Sequence, residues 1–99
     1  MAQVPPYLRR LQEADPEFAQ RVADLLQFAG SEGTLDANTK TLMSLLADAI
    51  LGHPDGVAAI ADRARQQGVT EGQLAETVRM AFVTAGVPAL VTGLSAFRR

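Results

Sequence analysis

The chain contains no cysteine and no tryptophan. Without a thiol there is no disulfide, no thiolate metal site and no cysteine nucleophile, so thiol peroxidase chemistry is closed to it. Aromatic residues are scarce, five in 99, and lysine occurs once against eight arginines. Charge of either sign is not concentrated: nine basic and eleven acidic residues leave a formal charge of −2, and Arg98-Arg99 is only a terminal pair. No patch able to neutralise a phosphate backbone is visible, and nucleic acid is not an expected partner. The longest wholly apolar stretch falls far short of the roughly 20 residues of a membrane span. Met1 to Arg10 lacks the apolar core of a signal peptide. No membrane is expected, and the cytoplasm is the expected location. No segment alternates with period two, which argues against strands.

What the chain does have is alanine and helix punctuation. Hydrophobic residues make up 47% of it, and 17 of these are alanine. Small side chains let helices approach closely but bury little surface each. A chain of this length buries only about 60–70% of its unfolded surface, so assembly into a homo-oligomer is expected. Asp15-Pro16-Glu17 reads as a helix start, with Phe18, Val22, Leu25 and Ala29 on its apolar face and Gly30 and Gly33 ending it. Asp36 can cap a second long helix carrying Leu42, Met43, Leu45, Leu46, Ala49 and Ile50, and Gly52 stops it. Pro54 or Asp55 starts a third, with Val57, Ile60, Ala61 and Ala64 inward and Asp62, Arg63, Arg65 and Gln66 outward. Gly68 suits a left-handed C-cap. Thr70 and Gln73 fit a capping box, followed by an apolar face of Leu74, Val78, Phe82 and Ala85. Gly86-Val87-Pro88 predicts a break before a last helix through Val91, Leu94 and Phe97. Pro5-Pro6 opens a short N-terminal helix over 5–13. The expected architecture is all-α: one domain over 1–99, with a core over 16–98 and five to six helices, Met43 and Met80 filling the interior.

The run Leu35-Asp36-Ala37-Asn38-Thr39-Lys40-Thr41-Leu42, the break at Gly52-His53-Pro54-Asp55-Gly56, Ala64 with Gly68-Val69-Thr70, and Ala85-Gly86-Val87-Pro88-Ala89 occur in a telling order. Together they resemble the carboxymuconolactone decarboxylase family, which includes the alkylhydroperoxidase D-like proteins, over roughly Pro16 to Phe97. The resemblance implies a helical bundle with paired antiparallel core helices, and assembly as dimers, trimers or hexamers. Peroxidase members carry a CxxCxxxH motif and a glutamate on the first core helix, which together form a proton relay. Aligned on Leu35-Asp36 and Gly68, the glutamate position falls on Thr41, the cysteine positions on His53 and Gly56, and the histidine position on Ile60. All four are replaced, so the resemblance implies descent from a redox domain without its relay. The decarboxylase members share a helical histidine and a Trp-Gly-rich segment, and Ile60 and the lack of tryptophan speak against that route too.

Few polar residues remain near this emptied relay. His53, the single histidine, could act as a general base helped by Asp48 or Asp55. Its simpler role is an exposed residue between two helices, capping the preceding one. Asp48 lies mid-helix between Ala47 and Ala49, so it must reach solvent, pair with an arginine such as Arg79, or sit in a pocket as a perturbed carboxylate. The bare helix start at Asp55, Gly56 and Val57 offers amide groups to an anion, for example a small carboxylate ligand. Thr41 and Asn38 read as ordinary first-turn polar residues. One histidine is too few for a metal site, and neither metal nor cofactor is expected. Two functions follow. The leading one is a non-redox oligomeric binding or scaffold domain, a pseudoenzyme within its family. The alternative is an enzyme with relocated proton-transfer chemistry on a small acid or lactone. The second gains if His53 and Asp48 lie within hydrogen-bond reach at one pocket, and fails if they face apart.

Overall fold

The computed structural model describes residues 6–97, and every regular element among them is helical. The chain divides into two compact units, Met1–Thr34 and Leu35–Arg99. The expected helix start at Pro5 and the end of the core at Arg98 lie outside the described residues.

The first unit is a pair of helices, α1 (Pro6–Ala14) and α2 (Pro16–Gly30). Asp15 forms the joint. Its backbone N–H donates to Leu11 O, closing α1, and its side-chain Oδ1 accepts from Phe18 N at 3.1 Å, opening α2. Pro16 occupies the first turn, where its missing N–H costs nothing. Leu8 and Ala19 are buried, but the anticipated apolar face of α2 is not. Phe18 is 53% and Leu25 65% exposed, with Leu26 and Phe28 exposed beside them. Helical periodicity identifies the stripe that wants a partner, not whether the same chain supplies one.

The second unit holds α3 (Ala37–Leu51), α4 (Pro54–Gln66) and a long final run beginning with α5 (Glu71–Ala81). Asp36 caps α3 by accepting from Thr39 N at 2.7 Å. α3 and α4 are antiparallel: Asn38 and Thr41, early on α3, hydrogen-bond Gln67 beyond the end of α4, while Asp48, late on α3, meets the start of α4. Leu45, Ala64, Val69 and Leu74 form the buried cluster, with Leu42, Val57, Ile60 and Ala61 packed against it. The inward positions on α4 are therefore those the sequence pattern selects. Met43 and Met80 are not interior: both are about half exposed.

Two glycines shape the unit through one device. Gly52 (φ +77°) and Gly68 (φ +92°) each adopt the left-handed conformation that follows a helix end. After α3, Gly52 N donates to Ala49 O and His53 N to Asp48 O; after α4, Gly68 N donates to Arg65 O and Val69 N to Ala64 O. This pair of bonds is the Schellman arrangement, and at the second site its hydrophobic contact is Val69 against Ala64, both in the core. The capping box forms as patterned, with Gln73 N donating to Thr70 Oγ1 and Thr70 N to Gln73 Oε1.

The final run departs from expectation. Gly86-Val87-Pro88 does not break it: α5 continues through a π-turn at Phe82–Gly86 into α6 (Val87–Gly93) and a 3₁₀ turn at Leu94–Phe97. Pro88 has no N–H, and its ring would clash with the carbonyl four residues back in regular α geometry. The wider turn, in which Val87 N donates to Phe82 O, takes up the mismatch so the chain stays helical. Glu71–Phe97 is thus 27 residues of continuous helix containing an 18-residue window of mean hydropathy 1.7, none of it buried. By length and composition alone that suffices to cross a membrane, because Thr84, Gly86, Thr92 and Ser95 interrupt the apolar residues without adding charge. Leu74 of the predicted apolar face is buried, whereas Val78 (56%) and Phe82 (67%) are exposed, as is Ala85.

Candidate functional site

The turn between α3 and α4 brings together three of the residues singled out by sequence. His53 Nδ1 lies 3.2 Å from Asp48 Oδ1. The backbone prepares this contact, since the Schellman bond from His53 N to Asp48 O already fixes the two residues against each other. Gly56 supplies the remaining space. A Cβ placed on it would overlap Asp48 Oδ2, so the carboxylate rests against the bare Cα of the first turn of α4. Any larger residue at 56 would displace it.

Electrostatics favour this placement. The start of α4 carries unpaired N–H groups and the positive end of the helix dipole, and a carboxylate there is stabilised. Asp55, the first-turn acid, adds a second negative charge at the same end. Asp48 is the carboxylate hydrogen-bonded to His53, rather than Asp55, and His53 rather than Arg79 is its partner. The Asp48 side chain is 27% exposed and the His53 side chain 60%. His53 stands at the N-cap position of α4 but gives no side-chain cap; its carbonyl accepts from Val57 N at 2.9 Å. Of the three amides considered for anion binding, that of Val57 is therefore engaged, and the Asp48 carboxylate sits beside Gly56.

As a carboxylate, Asp48 can only accept, so the proton of the pair belongs to His53 Nδ1. In its neutral form the imidazole would then carry its lone pair on Nε2, the arrangement a general base requires. His53 also lines an open depression of about 350 Å³ with Ala49, Gly52, Pro54, Val57 and Ala58. Its walls are apolar apart from the imidazole and backbone. Sequence reading nominated His53 but gave no signal for Ala49 and Ala58; both are plain alanines whose role depends on how closely the two helices approach.

The other relay positions lie elsewhere. Ile60 faces the core cluster. Thr41 is buried at 6% exposure, donating to Ala37 O at 2.9 Å and bonding Gln67 Oε1 at 3.0 Å. It lies roughly two turns, about 10 Å, from Asp48 along α3. The structure makes Thr41 a tether between α3 and the end of α4, more than the ordinary first-turn polar residue its position suggested. Gln67 went unnoticed because nothing in a local pattern shows that its amide meets a residue 26 positions earlier. Among the described residues no group of three or more His, Cys, Asp or Glu could hold a metal ion.

Compared with known proteins, residues 16–99 match the model of one family, described as the carboxymuconolactone decarboxylase family. No curated protein matches, and no solved structure does.

Proposed function

The chain belongs to the carboxymuconolactone decarboxylase family, and on that premise we propose that it is a thiol-independent, homo-oligomeric domain that binds a small molecule at the α3–α4 turn. The observation that carries this reading is the depression walled by Ala49, Gly52, Pro54, Val57 and Ala58, with the Asp48-anchored His53 as its polar group. Small-molecule sites are concave, mostly apolar and supplied with few placed polar groups. Thiol chemistry has no place in it, since the chain has no cysteine.

The oligomer rests on the exposed apolar side chains. Phe18, Leu25, Phe28, Met43, Leu51, Phe82, Leu90 and Phe97 are each about half exposed or more, and they lie on α2, on α3 and along the final run. Within each unit, exposed apolar side chains of this kind mark a surface that a partner can cover. A bilayer around Glu71–Phe97 would leave Met43 and Leu51 on α3 uncovered. Contacts between copies can cover all of them. A second copy is therefore the favoured partner.

A second reading has its own support. The 3.2 Å bond between His53 and Asp48 is what a relocated proton-transfer site needs, so an enzyme acting through His53 Nε2 with Asp48 as its positioning residue stands beside the binding reading. One experiment addresses both: a small-molecule library screened by thermal shift on the wild type, His53→Ala and Asp48→Ala. Binding at this site predicts a ligand whose stabilisation disappears in His53→Ala. Conversion of that ligand by the wild type alone supports the enzyme, and a flat screen leaves a scaffold.

A further inference from the structure

The negative charge of Asp48 determines which ligands the α3–α4 depression accepts. We infer that it takes small neutral molecules, largely apolar and carrying one hydroxyl donor, and turns carboxylates away. This rests on the ligand-site reading above. A helix start is ordinarily an anion site, but here the chain fills it with its own anion: the Asp48 carboxylate lies against Gly56, in room that exists only because residue 56 has no Cβ. The Val57 amide is engaged by His53 O. No lysine or arginine lines the depression to offset an incoming negative charge. Asp48 does not itself line the depression, but it is hydrogen-bonded to His53, which does, so a ligand carboxylate at the imidazole would face that negative charge with no lysine or arginine to offset it.

The same bond that places Asp48 sets the polarity of the one side-chain group on offer. With Nδ1–H committed to Asp48, the neutral form of His53 presents an acceptor at Nε2, which calls for a donor on the ligand. Apolar walls of alanine, proline and valine favour a compact hydrocarbon body. A phenol-like or enol-like hydroxyl on such a body meets both requirements. A carboxylate or a bare carbonyl on the same body could only accept, and so fails the first requirement.

The single histidine makes the test direct. The full chain, labelled with ¹⁵N, is titrated at mildly alkaline pH with phenol and separately with benzoate, following the His53 imidazole and the amides of Gly56 and Ala58. Phenol is expected to move these signals at a half-saturating concentration at least about tenfold below that of benzoate, as a like-charge encounter requires. Asp48→Asn, which removes the charge and keeps a polar side chain, should narrow that gap by about tenfold or close it. Benzoate binding the wild type as well as phenol does, at these same residues, overturns the selectivity and leaves the site standing. Neither probe moving these signals overturns both. If Asp48→Asn does not fold, the wild-type contrast decides alone.

Discussion

Gly56 shows how one missing Cβ can set local chemistry. Introducing alanine there would push the Asp48 carboxylate aside, yet that carboxylate ends a flexible, partly exposed side chain that can rotate away. Alanine also favours a helix over glycine by roughly 0.5–1 kcal/mol. Gly56→Ala is therefore expected to change unfolding free energy by less than about 1 kcal/mol in urea titration. The same variant should lose the Nδ1–H tautomer of His53, read in the ¹⁵N spectrum of the imidazole. A wild-type spectrum dominated by the Nε2–H tautomer would refute the hydrogen-bonded pair. Leu45 sits at the opposite extreme: it is 2% exposed at the centre of the buried cluster. Leu45→Ala should cost about 2–5 kcal/mol, against which the Gly56 variant serves as a control.

At the scale of elements, caps and ion pairs connect the helices of the second unit. Asp36→Ala and Thr70→Ala each remove an N-cap oxygen; Thr70→Ala should cost about 1 kcal/mol in chemical unfolding, and Asp36→Ala should lower the unfolding midpoint as well. Arg65 joins the end of α4 to the start of α5, holding Glu71 through Nε at 2.6 Å and Nη2 at 3.2 Å while Nη1 reaches Asp62. The hydrogen bonds from Arg65 hold the Glu71 carboxyl below its ordinary range, and the bond from Thr39 N does the same for Asp36. A carboxyl depressed on folding stabilises the native state above its unfolded pKa, and that gain disappears as pH falls through the folded value. Thermal stability should thus be flat near neutrality and drop on acidification through and below the carboxylate range. Glu71→Gln should flatten part of the slope. Both groups are fully exposed, so the effect is small and should shrink further in high salt.

For the whole molecule the decisive quantity is uncovered apolar surface. The buried side chains of the described residues are few, and the large ones are Leu8, Leu45 and Leu74, while phenylalanines and leucines on several helices face outward. Light scattering without detergent is expected to give an oligomer at micromolar concentration. Leu90→Glu together with Phe97→Glu, at positions 62% and 80% exposed, should shift it towards smaller species with helical circular dichroism retained. A monomeric wild type, or a chain that pellets with lipid vesicles and needs detergent to stay in solution, would reject assembly between copies.

The sequence by itself determined the helices up to α5 and their caps, because those signals are local. Asp15, Asp36 and Thr70 each accept from a backbone N–H within one turn, and Gly52 and Gly68 supply the left-handed residues that close α3 and α4. It also settled that no thiol relay exists, and the order of its punctuation already pointed to the family. Its expected break at Gly86–Pro88 failed because a proline can be accommodated by widening one turn, a choice made by the surrounding helix rather than by the tripeptide. Likewise an apolar stripe shows that a surface should be covered, so Phe82, Met43 and Met80 looked like interior residues until the packing left them outside. Only the tertiary structure decided that Thr41 reaches Gln67. It alone placed Asp48 in the space beside Gly56 with His53 as its partner, because that contact depends on how closely α4 returns alongside α3.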